Sequence, residues 1–328
     1  MPTHFHPPLW LKNPHLQTIL PKFLVKFEPN YTRTLIKDSL NQSDVAFDYL
    51  LTDETIGDDG KYHTPLVVLF HGMEGSSGSH YARTLARHVQ AAGLHFVVAH
   101  FRSCGGVPVA GEVFYNAGDT AEIHHNLANL ANEFAHIYAV GVSLGGNALA
   151  KYMGEYGDDA ICTKAVVVSA PVDLSSSAIA MERFISKRVY TPYLLNPIVK
   201  KALENRLTPD EITALKAAKR MGDFDDIFTA PRHGFRSKND YYRQASALPY
   251  LHKITKPTLL ITAQDDPFLG LMATTGDVSD MVTVLDTKYG GHIGFLDYDY
   301  RARKFDLGFV PRTALGFFDI NPVNHAAA

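Results

Sequence analysis

Residues 137–145 of this 328-residue chain read IYAVGVSLG, and they carry its strongest local signal. The first six residues form an apolar run that predicts a buried strand, and the apolar positions that recur from Leu144 onward at helical spacing predict a helix. Between them, Gly141 and Gly145 flank Ser143, so the backbone can turn tightly while the serine hydroxyl projects outward. The segment therefore predicts a strand–turn–helix junction that presents a nucleophilic serine.

The rest of the chain continues this alternation of short apolar runs and amphipathic helices. Continuous apolar runs are typical of strands that are buried on both faces, as in a parallel sheet. The runs are Leu66–Phe70, Phe96–Phe101, Ile137–Val142, Ala165–Ser169, Leu259–Thr262 and Val282–Leu285. Because helical stripes lie between them, the pattern predicts βαβ units and an α/β fold, with a mostly parallel central sheet and helices on both faces.

Three regions flank or interrupt this core within what we take to be a single domain, residues 1–328. Residues 1–32 mix Pro, Asn and aromatic residues and predict an irregular N-terminal arm that lies on the body. Residues 33–51 alternate around polar turn residues, which predicts a β-hairpin. Residues 172–248 carry helical signals, including a capping box at Thr208, and no clear strand. Since this insertion lies between two strands, we expect a helical lid over the carboxyl ends of the strands, where α/β proteins bind ligands.

Composition and charge exclude several classes of function. A formal net charge of −3 with no basic stripe argues against a nucleic-acid partner. Two cysteines are too few for a disulfide framework. The N-terminus does not read as a secretory signal and the apolar runs are too short to span a bilayer, so we expect a cytoplasmic protein with no integral membrane segment. The sequence predicts no cofactor and leaves the oligomeric state open.

Sixteen histidines raise the question of metal binding. His124 and His125 are adjacent, so on a helix their side chains point about 100° apart and cannot chelate one ion together. His4 and His6 lie in the predicted arm, where their spacing would support no more than adventitious binding. We therefore predict no metal site.

A serine nucleophile needs a general base, and the base needs an orienting carboxylate. For a junction of this kind the expected chain order is serine, acid, histidine. Three histidines follow Ser143 before the C-terminal tail, namely His233, His252 and His292. His233 lies in the insertion and His252 precedes a strand, whereas His292 stands in a glycine-rich loop directly after a predicted strand. His292 is therefore the predicted base.

Two adjacent carboxylates, Asp265 and Asp266, follow the strand that precedes the histidine loop. We favour Asp266 as the acid, because a residue before proline is held extended and the direction of its side chain is fixed. Asp265 remains the alternative acid. Asp173, which follows an earlier predicted strand, is a third choice.

Two backbone N–H groups are predicted to stabilise the oxyanion that forms when a serine attacks a carbonyl. One belongs to Leu144, directly after the nucleophile, and the other to Met73, in the loop after the first central strand. In that loop His71 and Gly72 are expected to be structural, with His71 holding the loop. Cys104 lies in another glycine-rich loop and is expected to be a small packing residue.

Four further motifs carry a family resemblance. They are Asn13–Thr18 (NPHLQT), His71–Gly75 (HGMEG), Phe101–Gly106 (FRSCGG) and Tyr115–Thr120 (YNAGDT). Together with the order HG, G-x-S-x-G, DDPF and GGH, they make the chain resemble the YheT-like, or AB-hydrolase 4, branch of the α/β-hydrolases over nearly its whole length. The resemblance implies a serine hydrolase with Ser143, Asp266 and His292 as its catalytic triad.

The expected activity is cleavage of small-molecule carboxylic esters through an acyl-enzyme. The insertion is rich in Tyr, Phe, Leu and Ile, which favours an apolar pocket and short- to medium-chain acyl groups. Ester synthesis is an alternative, because an alcohol can replace water as acyl acceptor, and His292 with Asp297 forms a weak H-x₄-D pattern found in some relatives. A non-catalytic binding protein of the same fold is a second alternative. A nucleotide-binding α/β protein is disfavoured, since G-x-G-x-x-G and G-K-[ST] motifs are missing.

Overall fold

An eight-stranded sheet forms the centre of the computed structural model, which describes residues 5–108 and 112–320. Its strands are β1 (Thr32–Lys37), β2 (Asp44–Leu50), β3 (Leu66–Phe70), β4 (His95–Ala99), β5 (Ile137–Val142), β6 (Lys164–Val168), β7 (Thr258–Ala263) and β8 (Val282–Thr287). Their order in the sheet is β1-β2-β4-β3-β5-β6-β7-β8. The pairs from β4 to β8 are parallel, and the two pairs that involve β2 are antiparallel. A separate two-stranded ribbon joins β9 (Asp297–Asp299) to β10 (Lys304–Asp306).

Helices cover both faces of the sheet. They are α1 (Pro14–Ile19), α2 (Pro21–Leu24), α3 (His80–Ala91), α4 (Thr120–Ala131), α5 (Leu144–Tyr156), α6 (Leu174–Ala180), α7 (Thr191–Ala202), α8 (Pro209–Ala217), α9 (Met221–Phe224), α10 (Ala230–Arg232), α11 (Lys238–Ala245) and α12 (Phe309–Phe317). Alternate residues of β3 point to opposite faces, so Val68 and Phe70 join a core with α4 and α5, while Val67 and Leu69 join a core with α3 and α12. Within the described ranges, no helix combines the length and the apolar character that crossing a membrane requires.

The predicted fold class is confirmed, and the strand ends differ from the apolar runs by a few residues. The apolar run Phe96–Phe101 extends beyond the end of β4. The N–H of Phe101 does not pair with a strand, because it donates to the His71 ring at 3.2 Å. The run Ala165–Ser169 outlasts β6, because Ser169 has a φ of 48°, which is incompatible with an extended strand.

The N-terminal arm is not irregular as predicted, since α1 and α2 occupy residues 14–24. Asn13 caps α1 by accepting hydrogen bonds from the N–H groups of His15 and Leu16, and Pro14 fits the first helical position. The predicted hairpin is formed by β1 and β2, and it is fused to the central sheet through β4. The β9–β10 ribbon and α12 were not predicted.

Residues 172–248 form a helical insertion between β6 and β7, containing α6 to α11. Its π-helical turns span Ser186–Tyr190 and Asp225–Thr229. The predicted capping box at Thr208 is present: its Oγ1 accepts from the N–H of Glu211 at 3.2 Å, and the Glu211 carboxylate accepts from the N–H of Thr208 at 2.7 Å.

A buried arginine ties the loop after β4 to the hairpin and to α4. The Arg102 guanidinium donates to Asp38 at 2.7 Å, to Glu122 at 2.5 Å and to Asp119. Three carboxylates therefore share one cation in a site where Arg102 is only 2% exposed. Burial raises the pKa of Glu122, although Arg102 opposes that shift. The cluster fixes the position of the FRSCGG loop relative to the sheet.

Candidate active site

Ser143 lies at the sharp turn between β5 and α5. Its φ of 53° and ψ of −121° place it in a region that a residue with a Cβ rarely adopts. The Ser143 N–H donates to the carbonyl oxygen of Val168 at the end of β6, at 2.9 Å. Since such a conformation persists only when the surroundings impose it, the turn holds the serine side chain in one direction.

The glycines around the serine are required because there is no room for a Cβ. At Gly141, a Cβ would lie 2.7 Å from the carbonyl oxygen of Gly145, and at Gly145 it would overlap two carbonyl oxygens where β3 ends. A Cβ at Gly72 would lie 3.2 Å from the Cβ of Ser143. The turn that carries Ser143, which we call the elbow, is therefore packed tightly against the loop after β3.

The structure brings Ser143, His292 and Asp266 together. The Nε2 atom of His292 lies 3.0 Å from the Oγ of Ser143, and its Nδ1 lies 2.8 Å from Oδ2 of Asp266. The His292 and Asp266 residues are only 7% and 4% exposed. With Nδ1–H donating to the carboxylate, Nε2 accepts from the serine hydroxyl, which is the arrangement that lets an imidazole take the serine proton.

The alternative acid, Asp265, has a different partner. Its Oδ1 accepts from the N–H of Gly291 at 2.9 Å, so this carboxylate holds the loop that carries His292 rather than the imidazole itself. Burial raises the pKa of Asp265, and the neighbouring charge of Asp266 raises it further.

An aromatic stack backs the imidazole. The ring of Phe268 lies 4.0 Å from that of His292, nearly parallel to it, and the Phe268 N–H donates to Oδ1 of Asp266 at 2.8 Å. The ring of Tyr190, from the insertion, packs 4.7 Å from Phe268. The hydroxyl of Tyr190 also lies 2.9 Å from Nδ1 of His15, so the stack links the insertion to the arm.

The N-terminal arm holds both sides of the histidine loop. The Oγ1 of Thr18 accepts from the N–H of His292 at 3.0 Å and donates to the carbonyl oxygen of Pro14 at 2.7 Å. The side-chain amide of Gln17 accepts from the N–H of Leu296 at 2.7 Å and donates to the carbonyl oxygen of the same residue at 2.9 Å. Gln17 is fully buried, so these bonds are shielded from water.

Two backbone N–H groups remain available beside the serine. Among the residues that the structure describes, neither Met73 nor Leu144 has a hydrogen-bond acceptor for its N–H. Leu144 opens α5, so its N–H belongs to the positive end of the helix dipole. Both groups are therefore free to bind an oxygen that carries negative charge.

A small network fixes the loop that contains Met73. The adjacent Glu74 has a φ of 54°, and its N–H donates to the hydroxyl of Tyr115 at 3.1 Å. That hydroxyl donates to the Glu74 carboxylate at 2.9 Å, which also pairs with Nζ of Lys201 from α7 at 2.8 Å. Lys201 donates in addition to the carbonyl oxygen of Ser103 at 2.7 Å. The helical insertion thus contacts the Met73 loop through an ion pair.

His71 joins the loop after β3 to the loop after β4 through hydrogen bonds, and it is poorly suited to be a base. Its Nδ1 lies 2.7 Å from the carbonyl oxygen of Gly72, and its Nε2 accepts from the N–H of Phe101. Burial lowers the pKa of His71 to about 3, so the ring stays neutral and uses both nitrogens in hydrogen bonds.

The remaining candidates have no hydrogen bond to Ser143 or His292 in the described part of the chain. Asp173 caps α6 by accepting from a backbone N–H at 2.6 Å, and Asp297 accepts from the N–H that follows it at 2.7 Å. His233 lies 3.1 Å from an asparagine amide, and His252 is exposed. Cys104 is buried, and burial raises its pKa to about 12.

The histidines considered for metal binding have other contacts. His124 stacks on Tyr156 at 4.6 Å, whereas Nε2 of His125 donates to the carbonyl oxygen of Lys37 at 2.9 Å. His4 lies outside the described residues. Over residues 5–108 and 112–320, no three His, Cys, Asp or Glu side chains are grouped so that they could hold a metal ion.

Several contacts of the site lie beyond what the sequence analysis assigned. Thr18, Gln17, Phe268 and Lys201 received no role, although the first two belong to the NPHLQT motif and Phe268 to DDPF. The sequence signal for these residues was that both motifs combine polar or aromatic residues with proline. This signal could not identify the residues that they contact, because Thr18 is 274 positions away from His292.

Comparison with known proteins agrees with this architecture. A family model described as "alpha/beta hydrolase fold" matches residues 65–298. The Escherichia coli protein named "Putative esterase YheT" is 38% identical over 304 residues, which cover 89% of this chain and 87% of that protein. The "Medium-chain fatty acid ethyl ester synthase/esterase 2" of Saccharomyces cerevisiae is 29% identical, covering 76% of this chain and 62% of that one.

The solved structure of the Pyrococcus furiosus esterase Pf2001 is similar in fold. It superposes with a TM-score of 0.51 at 15% identity and covers 82% of this chain and 88% of that one. At this identity the likeness concerns the fold alone.

The packing of the elbow predicts that Gly145→Ala is strongly destabilising. Its methyl group would overlap the carbonyl oxygens at the end of β3, so we expect the free energy of unfolding to fall by about 3 kcal/mol. Gly276→Ala is the matched control, because the nearest atom to its Cβ would be 3.7 Å away, and it should stay within about 1 kcal/mol of wild type. Urea unfolding of the three proteins measures both values, and equal losses for the two variants would contradict the packing argument.

Proposed function

The chain belongs to the YheT-like branch of the α/β-hydrolase family, and from that premise we propose that it cleaves carboxylic esters with Ser143 as nucleophile, His292 as base and Asp266 as orienting acid. Ester hydrolysis as a class follows from the fold and the esterase relatives: the chain is a carboxylic ester hydrolase. The observation that carries the assignment of residues is the continuous chain of hydrogen bonds from Asp266 through His292 to Ser143.

In the proposed mechanism, Ser143 forms an acyl-enzyme. Nε2 of His292 takes the hydroxyl proton while the Ser143 Oγ attacks the ester carbonyl, and the imidazolium is stabilised by the carboxylate of Asp266. Collapse of the tetrahedral intermediate breaks the ester bond, and His292 gives its proton to the leaving alcohol. A water molecule then attacks the acyl-enzyme, with His292 again taking a proton and returning it to Ser143.

The N–H groups of Met73 and Leu144 are proposed to bind the oxyanion of both tetrahedral intermediates. Their lack of other acceptors in the described residues supports this role, since a preorganised donor needs no rearrangement during the reaction. The ion pair of Glu74 with Lys201 would keep the Met73 loop in place.

The helical insertion is proposed to act as a lid within a single domain of residues 1–328, with residues 1–32 as an arm. Support comes from Tyr190, which brings the insertion to the aromatic stack behind His292, and from Lys201, which reaches the Met73 loop. The apolar composition of the insertion, which is rich in Tyr, Phe, Leu and Ile, favours an acyl group of short to medium length. An alcohol could also accept the acyl group, as the name of the yeast ethyl ester synthase/esterase indicates for that protein.

The assignment of the nucleophile predicts that Ser143→Ala abolishes covalent labelling by a fluorophosphonate probe. We also expect hydrolysis of a nitrophenyl ester to fall by about 10⁶-fold, because the remaining groups cannot replace a covalent intermediate. Gel fluorescence after labelling and initial rates are the measurements. Labelling that survives in the alanine variant would rule out Ser143.

Replacing each of the two adjacent carboxylates separates their roles. Asp266→Asn should lower kcat by roughly 10³- to 10⁴-fold, because the amide stabilises neither the required tautomer nor the imidazolium. Asp265→Asn is the matched control, since its remaining carbonyl oxygen can still accept from Gly291, and its loss should stay below about tenfold. If Asp265→Asn were the inactive variant, the assignment of the acid would be wrong.

The contact between the arm and the histidine loop predicts that Thr18→Val lowers kcat by about tenfold with little change in KM. The valine cannot accept from the N–H of His292, and a small displacement of the imidazole slows proton transfer. Thr213→Val is the matched control, because its hydroxyl also donates to a proline carbonyl four residues earlier, on an exposed helix. Thr18→Ser should restore activity, whereas full activity of Thr18→Val would contradict the positioning role.

A further inference from the structure

Exposed apolar side chains concentrate in one short segment at the start of the insertion. Of the seventeen large hydrophobic residues that are exposed in the described chain, five fall within residues 179–193. They are Ile179, Phe184, Ile185, Val189 and Tyr193, with exposures from 41% to 74%. Such a concentration of exposed apolar side chains favours a site of interaction with a partner or a membrane. We refer to the exposed side chains of these residues as the 179–193 face.

The same segment is basic in an acidic protein. It contains Arg183, Lys187 and Arg188 against one acidic residue, Glu182, for a net charge of +2 where the whole chain carries −3. All three cations are exposed, and Lys187 pairs with Glu182 at 2.9 Å. The Arg188 guanidinium lies 3.8 Å from the centre of the Phe184 ring, so charge and apolar surface are interleaved.

The N-terminal arm extends this face. Nζ of Lys22 lies 3.8 Å from the centre of the Tyr193 ring and 2.6 Å from its hydroxyl oxygen. The next residue, Phe23, is 75% exposed. A further cation therefore contacts an aromatic ring of the 179–193 face, and an exposed aromatic residue follows it in the sequence.

The segment that carries the 179–193 face is connected to the proposed triad by two packed aromatic rings. Within the π-helical turn Ser186–Tyr190, Lys187, Arg188 and Val189 are exposed, whereas Tyr190 turns inward. Tyr190 packs on Phe268, which in turn stacks on His292. One turn of chain thus joins the exposed face to the reacting histidine, and π-helical turns are frequent at functional sites.

The composition of the face fits a lipid surface better than a protein partner. Protein interfaces are depleted of charged residues at their buried centres, whereas here cations of one sign, Arg183, Lys187 and Arg188, lie among the apolar side chains with a net charge of +2. Basic residues among scattered Phe, Ile, Val and Tyr side chains are instead typical of segments that lie in the headgroup region of anionic membranes. We propose that the 179–193 face docks on an anionic lipid surface and takes its ester substrate from that surface. This inference rests on the proposed esterase function and adds to it the source of the substrate.

Co-sedimentation with vesicles tests the docking without any turnover. The Ser143→Ala protein should bind vesicles of equimolar phosphatidylcholine and phosphatidylglycerol more tightly than vesicles of phosphatidylcholine alone. In that background, Ile179→Ser/Phe184→Ser/Val189→Ser should weaken binding at least tenfold. Lys187→Gln/Arg188→Gln should weaken it by about 25-fold, because each cation near an anionic surface contributes about fivefold.

A matched triple variant separates a specific face from general hydrophobicity. Leu35→Ser/Leu51→Ser/Ile56→Ser removes three side chains of similar exposure elsewhere, and it should bind vesicles like the wild type. With Ser143 intact, the 179–193 variants should hydrolyse a soluble nitrophenyl ester at the wild-type rate, which shows that they fold and keeps the docking test independent of the esterase assignment.

Three results would overturn the proposal. They are no binding to anionic vesicles, equal binding by the 179–193 variants and the wild type, and a dimer in sedimentation velocity that dissociates in the triple serine variant. The last result would mean that a second copy of the chain covers this face.

Discussion

The close packing of α5 against the end of β3 is the constraint on which the rest of the site depends. No side chain fits at Gly145, because the carbonyl oxygens that end β3 occupy the space, and none fits at Gly141, because the first turn of α5 does. The chain can pass between them only through a sharp turn, which places Ser143 at a φ of 53°. Such a conformation costs about 1–3 kcal/mol, and the strands on either side of β5 supply the packing that offsets it. A Cβ at Gly72 would lie 3.2 Å from the Cβ of Ser143, so the loop that carries Met73 also packs against this turn.

His292, the proposed base, is held beside this turn by a second set of close contacts, which the N-terminal arm makes. A Cβ at Gly291 would lie 2.5 Å from the carbonyl oxygen of Pro14, so the histidine loop can approach α1 only because this position is glycine. Thr18 and Gln17 then bond the loop on both sides of the imidazole. Residues far apart in the sequence therefore meet at the candidate site, and the arm holds the loop that carries His292 as well as covering the sheet.

Local patterns in the sequence predicted the strands, the elbow and the choice of His292, because each depends on residues that are close along the chain. The direction imposed by Pro267 also favoured Asp266, and the geometry places that carboxylate against the imidazole. Contacts between distant residues could not be predicted in this way. Gln17 and Leu296 are 279 positions apart, and no periodicity relates them. The sequence of the arm predicts irregular structure because proline and asparagine favour loops, but at the start of α1 the same two residue types favour the helix.

The histidines differ in role according to what their two nitrogens contact. His71 uses both nitrogens on backbone groups and is buried, which keeps it neutral and leaves no site for an incoming proton. His95 has a carboxylate partner, Glu54, but its other nitrogen accepts from the N–H of Thr52, so it too has no free acceptor. His292 combines a carboxylate on Nδ1, which compensates a positive charge, with a hydroxyl on Nε2, which can supply the proton. Burial and hydrogen-bond partners, rather than the abundance of histidine, therefore support His292 as the proposed base.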